Sequence, residues 1–263
     1  MISNFHTHTK RCHHAGGEDE AYVKYAIERG LGTLGFSDHS PYFFDGGYIS
    51  PAKMLPAEAD GYFESLLYLR AKYKSVIDIK IGFETEYYPR YFDRLVSEYR
   101  KYPLDYIILG QHFIGNEGEQ DAESAFGKKT DRRTLTRYVN QCAEALSTGR
   151  FTYFAHPDVI DLDIKTAEDE QFTKSEYERL IRAAMKTETP LEINLCGVRS
   201  RRNYPVPAFW RTVGRLGCEV VVGCDAHAPS QVADPVEIGI AKTIIKENNL
   251  NFKESFPLKN PLF

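Results

Sequence analysis

The sequence predicts a (β/α) barrel, an α/β fold of seven parallel strands in a single domain spanning residues 1–263. Three observations predict it. Short apolar, β-branched runs alternate with segments of helical period about seven times, as in parallel sheets joined by crossover helices. A histidine or carboxylate stands at or just beyond the end of nearly every run. Residues on six strands meet at one cluster only if the sheet closes, because a barrel gathers its carboxyl ends on one face and an open sheet spreads them along an edge. The length also suits a one-domain barrel.

Taken in order, residues 2–8 form the first strand and carry His6 and His8, with His14 just beyond. Residues 18–29 have a helical period that ends at Gly30, a C-cap residue. The second strand, 33–37, leads into Asp38-His39. A helix over 57–73 puts Tyr62, Leu66, Leu69 and Tyr73 on one face, and the third strand, 78–83, runs into Glu84. A helix over 91–101 precedes an extended 106–110 with His112 beyond it. Leu135, Tyr138, Val139, Cys142 and Leu146 mark a helix over 134–147, and the fifth strand, 152–155, meets His156. Helix 174–186, strand 191–195, helix 207–216 opened by proline, and strand 219–223 ending before Asp225 and His227 complete the alternation. A helix over 236–248 and an irregular 257–263 follow, and residues 40–56 and 115–133 read as long loops able to cover a site.

With 33 Lys+Arg against 37 Asp+Glu, a net charge of −4 and no basic cluster, the composition argues against nucleic acid as the main partner. The five cysteines, Cys12, Cys142, Cys196, Cys218 and Cys224, are odd in number and form no C-x-x-C pair. Reduced thiols, no signal-like segment and no membrane-length apolar run together predict a cytoplasmic protein with no membrane partner.

His6 and His8 are two apart on a strand, so both side chains leave one face and can grip one ion. That pair alone fits an exposed polar strand equally well. The recurrence of ligands at strand ends does not, and it points to a multi-metal hydrolytic site holding zinc, manganese or iron. Asp38 could itself be a ligand, but as the residue before His39 it reads better as a catalytic group behind one, orienting a histidine or relaying a proton. Glu86 alternates with Glu84 and suits either a salt bridge or a role in the site. Cys12 and Cys224 read as small packed residues. Phe113 beside His112 packs either on that imidazole or in the core. Arg199, after the sixth strand, is placed to clamp a phosphate, whereas Arg201 and Arg202 read as a solvated turn.

As a set, His6-Thr7-His8-Thr9 with His14, Ser37-Asp38-His39, Gly82-Phe83-Glu84, Gly110-Gln111-His112, Ala155-His156-Pro157 and Asp225-Ala226-His227 resemble the motifs of the polymerase and histidinol phosphatase (PHP) superfamily. Within it the chain resembles the PHP-type histidinol-phosphate phosphatases, and its segment from Glu192 to Arg199 is similar to theirs at Asn194 and Arg199, which the resemblance implies as substrate contacts. The resemblance implies a distorted (β/α)7 barrel and three divalent ions. His6, His8, Glu84 and Asp225 would hold the first. Glu84 would bridge to a second completed by His112 and His156, and His14, His39 and His227 would hold the third. His14 rather than its neighbour His13 fits the family spacing, which leaves His13 solvated.

The implied reaction is hydrolysis of L-histidinol phosphate, a small-molecule phosphomonoester. A hydroxide bridging two ions would attack phosphorus, while Arg199 and the metals stabilise the charge that develops. A carboxylate should also meet the substrate's ammonium, with Asp45, Glu117 and Glu119 in the long loops as candidates. Within the superfamily, another phosphomonoester or a nucleotide or DNA phosphodiester is the alternative substrate, and the acidic balance weighs against the diester. An amidohydrolase would want a lysine on the fourth strand, where none stands. A non-catalytic metal-binding barrel should have lost ligands, and every expected position is filled.

Overall fold

The computed structural model describes residues 1–126 and 129–262. The chain runs β1 (Ser3–Asn4), α1 (Asp19–Glu28), β2 (Thr33–His39), α2 (Ala59–Tyr73), β3 (Asp78–Thr85), α3 (Phe92–Tyr99) and β4 (Tyr106–Leu109). The short strands β5 (Phe113–Ile114), β6 (Glu123–Ser124) and β7 (Lys129–Thr130) precede α4 (Arg132–Ser147), β8 (Asp161–Leu162) and α5 (Ala167–Lys186). Then come β9 (Leu191–Asn194), α6 (Leu195–Arg199), α7 (Pro207–Leu216), β10 (Glu219–Gly223), α8 (Pro235–Glu247) and β11 (Asn251–Phe252).

The result is an α/β fold around a curled parallel sheet. Strands β1-β2-β3-β4 pair in sequence order, and β9-β10-β11 form a second ladder. Single parallel bridges link Leu109 to Phe154 and Phe154 to Leu191, and a third joins Thr7 to Ala226. Alternation along the strands sorts side chains to two faces. On β4, Ile107 and Leu109 join the large core shared with the helices, whereas Tyr106 and Ile108 join a smaller cluster with Phe5, Tyr153, Ala155 and Val221. The same alternation on β3 sends Ile79, Ile81 and Phe83 outward to α2 and leaves Glu84 on the inner face. On β9 it buries Leu191 and Ile193 in the large core and leaves Glu192 and Asn194 inside.

Several expected boundaries move, each for a visible reason. The first strand shrinks to two residues because the Asn4 side chain takes over backbone bonding. Its Oδ1 accepts from the N–H of Cys224 (2.9 Å) and its Nδ2 donates to Thr7 Oγ1 (2.7 Å). The fifth strand survives only as the bridges at Phe154. The sixth stops at Asn194, whose side chain caps α6 by accepting from Gly197 N–H (3.0 Å). Helix α5 begins seven residues earlier than the apolar period suggests, at a capping box formed by Thr166 and Asp169. Pairs β5–β6 and β7–β8 pin a segment expected to be loop. Among the described residues no helix is long and apolar enough to cross a membrane.

Candidate metal centre

The ligand candidates converge where the strands finish. His6, His8, His39, Glu84, His156 and Asp225 are buried, His112 and His227 are half-buried, and His14 is exposed. Glu84 divides its two oxygens between two sets of imidazoles. Oε2 faces His6 Nε2 (3.5 Å), His8 Nε2 (3.5 Å) and His39 Nδ1 (3.1 Å). Oε1 faces His156 Nε2 (2.7 Å) and His112 Nε2 (3.8 Å). Asp225 Oδ1 lies 3.1 Å from His8 Nε2, 3.7 Å from His6 Nε2 and 3.2 Å from His227 Nδ1.

Ligand atoms close enough to share an ion form overlapping groups: His6-His8-Glu84, His6-His156-Asp225, His39-Glu84-His112 and His14-His39-His227. Among the described residues, His6 Nε2, His8 Nε2, His156 Nδ1 and Asp225 Oδ1 are buried without a hydrogen-bond partner. Buried polar atoms are ordinarily paired, so four orphans within one cluster of histidine and carboxylate fit a site shaped for cations.

Backbone geometry agrees. His156 (φ 33°) and Asp225 (φ 45°) both occupy the left-handed region, strain of the kind that collects at functional sites. Gly110 and Gly223 make room for two carboxylates: a Cβ at Gly110 would fall 1.9 Å from Glu84 Oε1, and one at Gly223 would fall 1.7 Å from Glu192 Oε1.

A second layer fixes the ligands. Asp38 reaches His8 Nδ1 (3.4 Å) and accepts from Thr9 N–H (3.2 Å) and the Thr9 hydroxyl, so its side chain stands behind a ligand as expected. Glu192, which carried no role in the sequence, contacts His6 Nδ1 at 2.8 Å and accepts from His156 N–H at 3.1 Å. Asn194 donates to Glu192 (2.9 Å) and to Asp225 Oδ2 (3.1 Å). Glu86 accepts from the N–H groups of His112 and Phe113 (both 3.0 Å) and pairs with the buried Lys53 (2.6 Å), so it serves as salt bridge and as support for the site at once. Inward orientation at period two was the one legible signal for Glu192. Lys53 gave none.

Burial opposes charge throughout this cluster, and the partners decide the outcome. It would push Glu84 up, but His39, His6 and His112 hold its carboxyl well below the usual range. Asp225 is likewise held down against burial by the nearby imidazoles of His6, His227 and His8. His6 is raised despite burial by Glu192, Asp225 and Glu84. His14 is lowered to about 4 by burial and by its neighbour His227.

A cleft of about 450 Å³ opens on the cluster. Its lining brings together His14, His39, Glu84, His112, Asp225 and His227 with Phe113 and Arg199. It also includes Ser124 on β6 and Cys196 on α6, and Lys53, Phe126, Arg202 and Tyr204, which lie on irregular segments with no periodic signal to announce them. Arg199 donates to Glu237 (2.7 Å) and to the Asp225 carbonyl (3.0 Å). His13 is exposed and pairs with Glu58 at 3.3 Å, apart from the cluster. Cys12 and Cys224 are both buried, and Cys12 Sγ lies within reach of ligand atoms of His8 and His227.

The three loop carboxylates expected to meet an ammonium do not line this cleft. Asp45 (2.7 Å) and Glu119 (2.9 Å) pair with Arg90, and Glu117 is buried against Lys53 (2.8 Å). Arg202, expected to be merely solvated, is exposed yet forms part of the cleft wall.

Comparison with known proteins agrees with this architecture. The chain is 25% identical over 238 residues to a probable histidinol-phosphatase of Deinococcus radiodurans, spanning 88% of each protein. It is 26% identical over 259 residues to a histidinol-phosphatase of Lactococcus lactis, spanning 93% of this chain and 89% of that protein. Its fold matches the crystal structure of a histidinol phosphate phosphatase of Lactococcus lactis complexed with zinc, L-histidinol and phosphate, with a TM-score of 0.72, 24% identity and 97% of each chain covered. The family model of the PHP domain matches residues 4–196, about three-quarters of the sequence, and the chain therefore belongs to the PHP domain family.

Proposed function

We propose that this protein is a metal-dependent phosphomonoesterase that hydrolyses L-histidinol phosphate to L-histidinol and phosphate. The observation that carries the reading is the set of four buried, unpartnered ligand atoms around a carboxylate whose two oxygens face different histidines. Relatives named histidinol-phosphatase, alike over most of both lengths, support the choice of substrate.

Three divalent ions, zinc, manganese or iron, suit the donor set. His6, His8, Glu84 and Asp225 would hold one. Glu84, His112 and His156 would hold the second, and His14, His39 and His227 the third. Such ions generate a nucleophile from water at neutral pH and offset charge on phosphoryl oxygens. The chain's own residues supply the rest. Glu84 spans two positions through its separate oxygens. Asp38 and Glu192 fix the rings of His8 and His6, which leaves Nε2 of each facing the cluster. Asn194 holds Asp225, and Arg199 and Phe113 line the space a phosphate ester would enter.

The single bridges at Phe154 and between Thr7 and Ala226 support a closed seven-stranded barrel in one domain. The substrate is a small molecule met in the cytoplasm, with no part for nucleic acid.

The test is phosphate release from L-histidinol phosphate against a panel of other phosphomonoesters and a nucleotide diester. Preference for histidinol phosphate is the expected result. Faster turnover of the diester, or no release from any monoester by metal-loaded protein, would overturn the reading.

A further inference from the structure

Among the described residues three cations line the cleft, and two are already neutralised by neighbours. Lys53 is locked between Glu86 (2.6 Å) and Glu117 (2.8 Å). Arg199 is tied to Glu237 (2.7 Å) and to the carbonyls of Asp225 (3.0 Å) and Cys224 (3.4 Å). Arg202 is different: among the described residues its guanidinium has no carboxylate or hydrogen-bonded partner, and it sits 4.1 Å from the centroid of the Phe126 ring. An aromatic face holds a guanidinium through the ring's quadrupole and leaves its N–H donors unused.

The backbone is shaped to put Arg202 there. Helix α6 ends with Arg201 N–H donating to Val198 O (3.4 Å) and Arg202 N–H donating to Gly197 O (3.1 Å). This is the paired reversal that usually needs glycine at its left-handed position. Here Arg201 occupies that position, at φ 49°. The ring it meets is anchored from the opposite wall. Ala125 N–H donates to His112 O (2.8 Å), and the Phe126 ring lies 5.7 Å from the His112 ring. The ring that carries the free guanidinium therefore stands next to His112, one of the two histidines that face Glu84 Oε1.

Each carboxylate that lines the cleft is engaged: Glu84 and Asp225 by histidines, Glu86 by Lys53 and the His112 backbone. Among the described residues, an anion entering the cleft thus meets one cation whose charge and donors are not already committed, Arg202. We propose that Arg202, held on Phe126, grips the phosphate of the substrate and biases the site toward dianionic monoesters. The proposal rests on the reading of this cleft as a phosphomonoesterase site. It assigns a recognition role to a residue outside the metal cluster, and the planar fork of arginine suits two phosphoryl oxygens as a lysine does not.

The test uses inorganic phosphate as the probe, titrated calorimetrically into metal-loaded protein, with bound metal counted in each preparation. Arg202→Ala should weaken phosphate binding by about 10- to 100-fold at unchanged metal content, the scale of a lost charged hydrogen bond. Arg202→Lys should recover only part of this, and Phe126→Leu should fall between wild type and Arg202→Ala. KM for histidinol phosphate should rise in step, with kcat altered less. Phosphate affinity for Arg202→Ala within twofold of wild type, at equal metal content, overturns the proposal. If the wild type hydrolyses no monoester yet Arg202→Ala still loses phosphate, the substrate reading fails and the assignment of Arg202 stands.

Discussion

Where the strands begin, the inner face of the sheet is filled by Phe5, Tyr106, Ile108, Tyr153 and Val221, and Phe256 from the C-terminal tail packs on Phe5 at 5.2 Å. Where they finish, the same sheet delivers histidines and carboxylates. The two ends differ most in how polar atoms are satisfied. At the apolar end the Tyr106 hydroxyl lies within hydrogen-bonding distance of the carbonyls of Phe5 (2.8 Å) and Phe36 (3.0 Å). At the polar end four buried ligand atoms have no partner, although Glu192, Asn194 and Asp38 anchor the other sides of the same groups. Second-layer bonds that fix a ring while one of its nitrogens stays free are what metal ligation requires, and packing alone gives no reason for them. One buried atom at the apolar end breaks the pattern: among the described residues the Tyr153 hydroxyl also has no partner.

The contrast can be attacked first through Glu84. Glu84→Gln should lower turnover by about 10³-fold, because it removes the charge that two histidine sets share. Steady-state kinetics on metal-saturated protein would reveal it, and near-normal kcat would deny Glu84 its role. Next in size is Glu192→Ala, expected to cost about 10- to 100-fold in metal affinity through the loosened His6 ring. A competitive chelator titration measures it, and Glu192→Gln should recover part of the loss.

Acidity should separate the metal-free from the metal-loaded protein. The pKa values of His6, His8 and His156 are raised because nearby carboxylates outweigh the effect of burial. Their stabilisation is fully present below the unfolded value of 6.5 and is lost as pH rises through the raised folded values. Burial lowers His14 and His39, which instead remove stability as pH falls below 6.5. Chelated protein should therefore melt at progressively lower temperature above pH 6.5, whereas bound metal replaces those protons and abolishes the decline. Parallel curves for the two forms across that window would count against the assignment. The smallest effect belongs to the opposite end. Tyr153→Phe should stabilise the fold by about 1 kcal/mol, since it deletes a buried donor that pairs with nothing. Denaturant melts would show it, and a clear loss of stability would mean that hydroxyl has a partner.

The sequence made the polar end legible because ligands recur at strand ends and His6 and His8 share a face by period two. The same alternation would have turned Glu192 inward, had β9 been read for its inner face. What stayed hidden reaches the cleft by long-range contact. Lys53, Phe126 and Arg202 sit on irregular segments, where no periodicity links a residue to its destination. The short first strand was hidden for a related reason, since Asn4 substitutes side-chain bonds for the ladder. At α5 the capping box Thr166–Asp169 stood in the sequence, but the apolar spacing begins later and set the expected start.

The central claim is that the histidine-rich end of the sheet works only when loaded with metal. The most direct measurement follows phosphate release from L-histidinol phosphate by fully chelated protein as zinc or manganese is returned in counted equivalents. No turnover is expected without metal, and recovery should saturate as two to three ions bind per chain. Undiminished turnover by the chelated protein, or none with every ion in place, would contradict it.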